Sequence, residues 1–186
     1  GTHRATLLDL LLDSAAASGA RLEWGVEMAQ ISRDATQRPS LQDNRGRSHG
    51  PFDLILICDG AQSALRAQCG VAARVSRYPW GALWFIGTRT PEFDPHVLWQ
   101  CVHTTRQLLG FLPTGTKQDL LSVFWSVRMD QVESWRAAPL EDWKRTLLGL
   151  APQAESFLSQ VRSHDQVSAA RYHDVRMRQW HGERVA

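Results

Sequence analysis

The run Phe52-Asp53-Leu54-Ile55-Leu56-Ile57-Cys58, closed by Asp59-Gly60, restricts the fold more than any other stretch of this chain. A short, nearly continuous apolar run rich in Ile and Leu suits a strand buried on both faces. A carboxylate at the C-terminal end of such a strand stands at the edge where α/β sheets bind ligands. Gly60 lets the chain turn and lets a ligand come close to the backbone. Ser63 can cap a short helix over residues 61–69, and Arg66 can pair with a carboxylate or a phosphate. The same residues also serve a strand, a turn and a capped helix that bind nothing, so the pattern alone leaves both readings open.

The flanking pattern predicts a helix over residues 4–18, with Leu7, Leu8, Leu11 and Leu12 on one face and Gly19 as a stop. Residues 21–34 read as extended, with a short strand marked by Val26, Met28 and Ile31. Residues 40–43 and 47–49 flank the turn Asn44-Arg45-Gly46 as a hairpin. From about residue 77 the character changes. Residues 78–89, 97–103, 106–112 and 120–129 read as strands separated by Pro, Gly and Thr turns. Residues 131–149 and 151–162 read as two helices broken at Pro152, and residues 171–180 as a returning strand. The expected fold class is α+β: part of an α/β domain joined to a mainly antiparallel sheet with flanking helices.

Composition removes several function classes. The 186 residues carry 21 Lys+Arg against 19 Asp+Glu, so a formal charge of +2 gives no support for binding nucleic acid by phosphate neutralisation. No apolar run approaches the roughly 18–20 residues that span a bilayer. A hydrophobic fraction of 43% is too high for a disordered chain. Cys58, Cys69 and Cys101 form no disulfide framework, and a reducing cytoplasm is the expected location. The seven histidines show no zinc-ligand spacing, and His3 and His103 are expected at the surface or a sheet edge. The opening Gly1-Thr2-His3-Arg4 lacks both Met and signal-peptide character, and Gly182-Glu183-Arg184-Val185-Ala186 reads as the start of a strand. Both ends read as cuts in a longer chain.

Trp80, Trp84, Trp99 and Trp125 sit on the predicted strands. Alternation puts Trp80 and Trp84 on one face with Ala82, and Gly81, Leu83 and Phe85 on the other. Tryptophans on strands serve either as core or as an aromatic wall for a hydrophobic ligand.

The segment from Asp53 to Arg66 resembles the Asp-Gly motif of the flavin-dependent monooxygenases related to para-hydroxybenzoate hydroxylase. That motif is a run of small or apolar residues, Asp-Gly, a residue or two, Ser, two residues and Arg, and Asp59, Gly60, Ser63 and Arg66 match it. His3-Arg4-Ala5-Thr6-Leu7 looks like the family's Arg-x-x-Leu helix start, whose Arg reaches towards the flavin. Residues 180–186 look like the strand that leads into the family's Gly-Asp-Ala motif. Residues 78–84 and 110–115 look like its substrate-domain strands. These matches run in order over nearly the whole chain.

The resemblance implies FAD as cofactor, NAD(P)H as co-substrate and an oxidoreductase that adds oxygen to a small, apolar substrate, aromatic ones included. It implies cofactor contacts at Arg4, Asp59, Gly60, Ser63 and Arg66, and a substrate wall at Trp80, Trp84, Trp99 and Trp125. No catalytic residue and no metal are implied, because the flavin carries the oxygen chemistry and the protein orients the substrate and excludes water. Residues 1–76 would be a partial FAD-binding domain, 77–170 a substrate-domain sheet with helices, and 171–186 a strand returning to the first domain. Gly-x-Gly-x-x-Gly and Gly-Asp-Ala do not occur within the 186 residues, so the chain is expected to copurify with little or no FAD. Other chemistry on the same scaffold is the nearer alternative; a halogenase would need a lysine by the substrate, and Lys117 and Lys144 do not look placed for it. A non-catalytic module that binds hydrophobic ligands is the other.

Overall fold

The computed structural model describes residues 4–115 and 119–186. Contacts divide the chain into two compact units, one holding residues up to Ala20 with Tyr78–Tyr172, the other Arg21–Arg77 with His173–Ala186. The chain is α+β. Among the described residues no helix is long and apolar enough to cross a membrane.

A five-stranded sheet organises the larger unit, although its residues 73–77 and 173–177 fall in the smaller one. Its strands are β4 (Ala73–Thr88), β5 (Trp99–Thr104), β6 (Gln107–Thr114), β7 (Leu120–Arg128) and β8 (Ser168–Met177), in the order β5-β6-β7-β4-β8. Strand β6 pairs antiparallel with β5 and with β7, and β7 pairs antiparallel with β4. Period-two alternation sends Leu83 and Phe85 of β4, Leu109 and Phe111 of β6, and Leu121, Val123 and Trp125 of β7 into one core. Helices α2 (Val132–Ala137), α3 (Leu140–Leu150) and α4 (Glu155–Leu158) cover that face through Val132, Trp143, Leu147, Phe157 and Leu158. Phe111, fully buried, lies 4.6 Å from Phe93, 5.7 Å from Trp99 and 5.9 Å from Phe157 between ring centroids.

The expected helix over residues 131–149 is two helices. Ala138 is extended at ψ 158° because the ring of Pro139 excludes the helical conformation from the residue before it. The second expected helix shrinks to a 3₁₀ turn at Pro152–Ala154 and the single turn of α4. Beyond it, the side-chain amide of Gln160 acts as one residue of a strand. Its Nε2 donates to the Thr88 carbonyl at 2.9 Å, and its Oε1 accepts from the Thr88 N–H at 2.9 Å. The N-terminal helix forms as α1 (Arg4–Ala17) but buries none of its residues.

The smaller unit holds β1 (Met28–Arg33), β2 (Pro39–Asp43) and β3 (Ser48–His49), a three-stranded antiparallel sheet in that order. Gln68 extends the edge of β1 as Gln160 extends β4: its Oε1 accepts from the Ile31 N–H at 2.8 Å and its Nε2 donates to the Ala29 carbonyl at 3.0 Å.

The run Phe52–Cys58 is not a strand buried on both faces. It makes one parallel bridge, Ile55 to Val185, with hydrogen bonds from Ile55 N–H to Arg184 O and from Ala186 N–H to Ile55 O. Ile55 is 6% exposed and packs with Cys69 and Val185, while Leu54 and Leu56 are 56% and 67% exposed. Ile55 and Ile57 face the small cluster formed with Cys69, Val71 and Val185, while Leu54 and Leu56 face away from it, so the segment alternates inward and outward instead of burying every residue. The expected helix over residues 61–69 is likewise only a 3₁₀ turn at Arg66–Cys69.

Asp43 closes the β2–β3 hairpin. Its Oδ1 accepts from the N–H groups of Arg45 and Arg47, both at 2.9 Å, and its Oδ2 accepts from Arg47 Nε at 2.7 Å, with the His49 ring at 3.2 Å. Burial opposes ionisation here. The Arg47 N–H, His49, the Arg47 guanidinium and the Arg45 N–H outweigh it and hold the carboxyl well below the usual carboxylate range. A depressed carboxyl stabilises the fold above its unfolded pKa of about 4, and that contribution fades as the pH falls towards the folded value. Asp43→Asn should therefore lower the urea midpoint most at pH 7 and by a smaller amount at pH 3, which lies below the unfolded pKa but still above the folded one. An equal loss at both values would show that the charge on Asp43 is immaterial.

Candidate functional site

The Asp-Gly segment is built as a locked turn. Gly60 has φ +88°, a left-handed conformation that a side chain would strain. The Ser63 N–H donates to the Gly60 carbonyl at 3.2 Å, and Ser63 Oγ accepts from the Arg66 N–H at 2.9 Å; the N-cap of the 3₁₀ turn is Leu65, which makes no side-chain cap, so Ser63 braces the loop before the turn. The Arg66 side chain then folds back over the turn. Its Nη1 donates to the Ala61 carbonyl at 3.0 Å and its Nη2 to the Gly60 carbonyl. Arg66 therefore spends its donors on backbone, not on the Asp59 carboxylate.

Asp59 is exposed, and its carboxylate has no hydrogen-bond or ion-pair partner among the described residues. Its charge is felt at Cys69, where burial pushes the thiol up, Asp59 adds to the rise and Arg66 opposes it. Asp59, Gly60, Ser63 and Arg66 line one side of a cavity of about 360 Å³, whose apolar wall includes Met177 and Trp180. All of these residues belong to the smaller unit. Arg4, the first residue of α1, is exposed and belongs to the larger one.

The four tryptophans do not share a face. Trp125 and Trp99 lie on the helix side, Trp125 only 9% exposed within the core and Trp99 packed against Phe111. Trp80 and Trp84 are half-buried on the opposite face, with Ala82 between them, as alternation requires. Trp84 packs on Phe124 with ring centroids 5.2 Å apart and planes tilted by 36°, and the Phe124 ring lies across Gly110, where a Cβ would collide with it. At one end of this face Tyr78, Trp80, Arg106, Leu108 and Tyr172 line a second cavity of about 380 Å³. The sequence reading missed Tyr78, Arg106, Phe124 and Tyr172. Their alternate positions on strands were the available signal for Tyr78 and Phe124. His3 and Lys117 lie outside the described residues, and Lys144 is tied to Glu141 at 2.8 Å.

A family profile described as "FAD binding domain" matches residues 3–186. The chain belongs to that family. No curated protein sequence matches it significantly. Among solved structures it is similar to PqsL, a probable FAD-dependent monooxygenase from Pseudomonas aeruginosa, with 16% identity and a TM-score of 0.73 over 97% of this chain and 50% of that one. It is similar to the tetrameric form of 2-methyl-3-hydroxypyridine-5-carboxylic acid oxygenase, with 17% identity and a TM-score of 0.76 over 98% and 48%. A variant of HpxO from Klebsiella pneumoniae, complexed with FAD, gives 18% identity and a TM-score of 0.73 over 98% and 47%. At these identities the likeness is one of fold, and the chain spans about half the length of each.

The residues of this FAD-binding-domain chain fit a flavin dinucleotide in kind. An unpartnered carboxylate beside a left-handed glycine suits hydroxyl donors of a ribityl or ribose chain. Arg66, folded onto the Gly60 and Ala61 carbonyls, holds the turn in shape. A cavity of about 360 Å³ has room for one portion of such a ligand.

Proposed function

We propose that this chain carries the Asp-Gly cofactor segment and the substrate sheet of an FAD-dependent, NAD(P)H-using monooxygenase that acts on a small apolar substrate, aromatic ones included. The observation that carries this reading is the Asp59 carboxylate, which has no hydrogen-bond or ion-pair partner among the described residues and lines a cavity beside a turn that Ser63 and Arg66 hold. When bound, FAD would take electrons from NAD(P)H and activate O₂. Asp59 would accept hydrogen bonds from cofactor hydroxyls, and Gly60 would let the cofactor approach the backbone. Ser63 and Arg66 would keep both in register. Arg4 would supply a cation towards the flavin. Trp80 and Trp84, with Phe124, would offer an apolar aromatic surface that orients the substrate and excludes water. On this reading residues 1–76 and 171–186 serve the cofactor and residues 77–170 the substrate, in the cytoplasm.

A second reading, a binding module for hydrophobic ligands without flavin chemistry, draws support from the second cavity, all of whose lining belongs to the larger unit. Colour separates the two. The purified chain should carry little flavin, but added FAD should bind with quenching of flavin fluorescence, and Asp59→Asn should weaken that binding. Binding of aromatic ligands by a chain that takes up no FAD at any concentration would favour the module.

A further inference from the structure

The cavity beside Trp80 holds a cation that no acidic group balances. Arg106 is the one charged residue in its lining. The guanidinium has no hydrogen-bond or ion-pair partner among the described residues, and only the backbone is tied, with the Arg106 N–H donating to Thr104 Oγ1 at 3.1 Å. Two other cavities differ. In the one beside Asp59, Arg66 is spent on the Gly60 and Ala61 carbonyls. In the one between α3 and α4, Lys144 is paired with Glu141 and Arg145 with Asp142. Around Arg106 the lining is aromatic and neutral, with Tyr78, Trp80 and Tyr172 as its rings. Tyr78 and Tyr172 are 53% and 43% exposed, and neither phenol hydroxyl has a partner among the described residues. A local irregularity shapes this end of the sheet. Val102 pairs with Leu108 but Thr104 pairs with Gln107, so β5 carries one extra residue, His103, against β6. Such a bulge re-aims the side chains beside it, and all four paired residues border the cavity.

We propose that this cavity is a binding site for a small aromatic carboxylate, with its ring against Trp80 and its carboxylate on Arg106. A guanidinium presents a planar fork that matches the two oxygens of a carboxylate. The free phenol hydroxyls of Tyr78 and Tyr172 add donors for the same anion. A cationic ligand would meet Arg106 with no acid in the lining to offset it. A wholly apolar ligand would take water from the guanidinium and return no acceptor. The volume of about 380 Å³ lies at the lower end of small-molecule sites and suits a single ring with one substituent. The site goes beyond the apolar surface of the proposed function, because it asks for an acid on the ligand. Every lining residue belongs to the larger unit, so the site does not depend on uptake of FAD.

Benzoate and benzamide share a ring and a shape and differ in charge. Calorimetric titration of the whole chain with each, in the absence of flavin, tests the proposal. Benzoate should bind about tenfold or more tightly than benzamide, the effect of a hydrogen bond to a charged group. Arg106→Gln should abolish that preference and bring benzoate to the affinity of benzamide. The variant should keep the wild-type melting curve, because the Arg106 side chain is exposed and bonds to no described residue. As an independent measurement, benzoate should shift the backbone amide resonances of residues 104–108 and Ser126, and leave those of Asp59 and Arg66 in place. Equal affinity for the two probes would overturn the proposal, and so would a lack of benzoate binding at about 10 mM. A preference for benzoate that survives Arg106→Gln, or resonance shifts centred on Asp59 and Arg66, would place the anion elsewhere and overturn it as well.

Discussion

Phe111→Ala should cost about 3–5 kcal/mol of stability, the upper range for removing a buried aromatic ring. Phe111 is fully buried on β6 and is the ring on which Phe93, Trp99 and Phe157 converge, so neighbours on several sides lose contacts at once. A domain of this size holds about 5–15 kcal/mol in all, and the variant would keep as little as half of it or less. Denaturant unfolding followed by tryptophan fluorescence reads this directly, because Trp99 and Trp125 share the same core. A loss below about 1 kcal/mol would mean that the helices do not close over the sheet in solution as they do here.

On the proposed reading, Asp59→Ala should lower flavin affinity or the rate of reduction by NAD(P)H by about tenfold or more. A hydrogen bond to a charged group contributes about 1.5–3 kcal/mol, and a carboxylate can accept more than one. The unfolding midpoint of the apo form should scarcely move, because Asp59 is exposed and has no hydrogen-bond or ion-pair partner among the described residues. Arg66→Ala should give a different pattern. It frees the Gly60 and Ala61 carbonyls and should reduce both stability and flavin affinity. A lower midpoint with unchanged flavin affinity in Asp59→Ala would return the Asp-Gly turn to a purely structural role.

The sheet was legible because strand alternation is a local rule. Trp80, Ala82 and Trp84 against Gly81, Leu83 and Phe85 could be assigned to opposite faces before any neighbour was known. The faces of Trp99 and Trp125 could not, since they depend on the register of β5 against β6 and of β7 against β4. The break at Pro139 was equally visible in principle, yet the apolar periodicity on either side of it read as one helix. Phe52–Cys58 misled for another reason: apolar content is set by the strand, but burial is set by what lies beside it. Asp59, Gly60 and Ser63 lie together in the lining of one cavity. The role of Arg66 was hidden, because nothing in the spacing tells a guanidinium that reaches outward from one that folds back onto its own turn.

Gln68 and Gln160 leave the protein open to slow chemical ageing at two defined points. Each side chain completes a ladder by donating from its nitrogen and accepting at its oxygen, and only an amide does both at neutral pH. Hydrolysis of Gln160 to Glu would turn an oxygen bearing negative charge towards the Thr88 carbonyl, and hydrolysis of Gln68 would do the same at Ala29. The change adds a single unit of negative charge with almost no change in shape, yet it converts an attraction into a repulsion at the end of a strand. Loss of either amide would thus unfasten the tail of β4 or the edge of β1 without any break in the backbone.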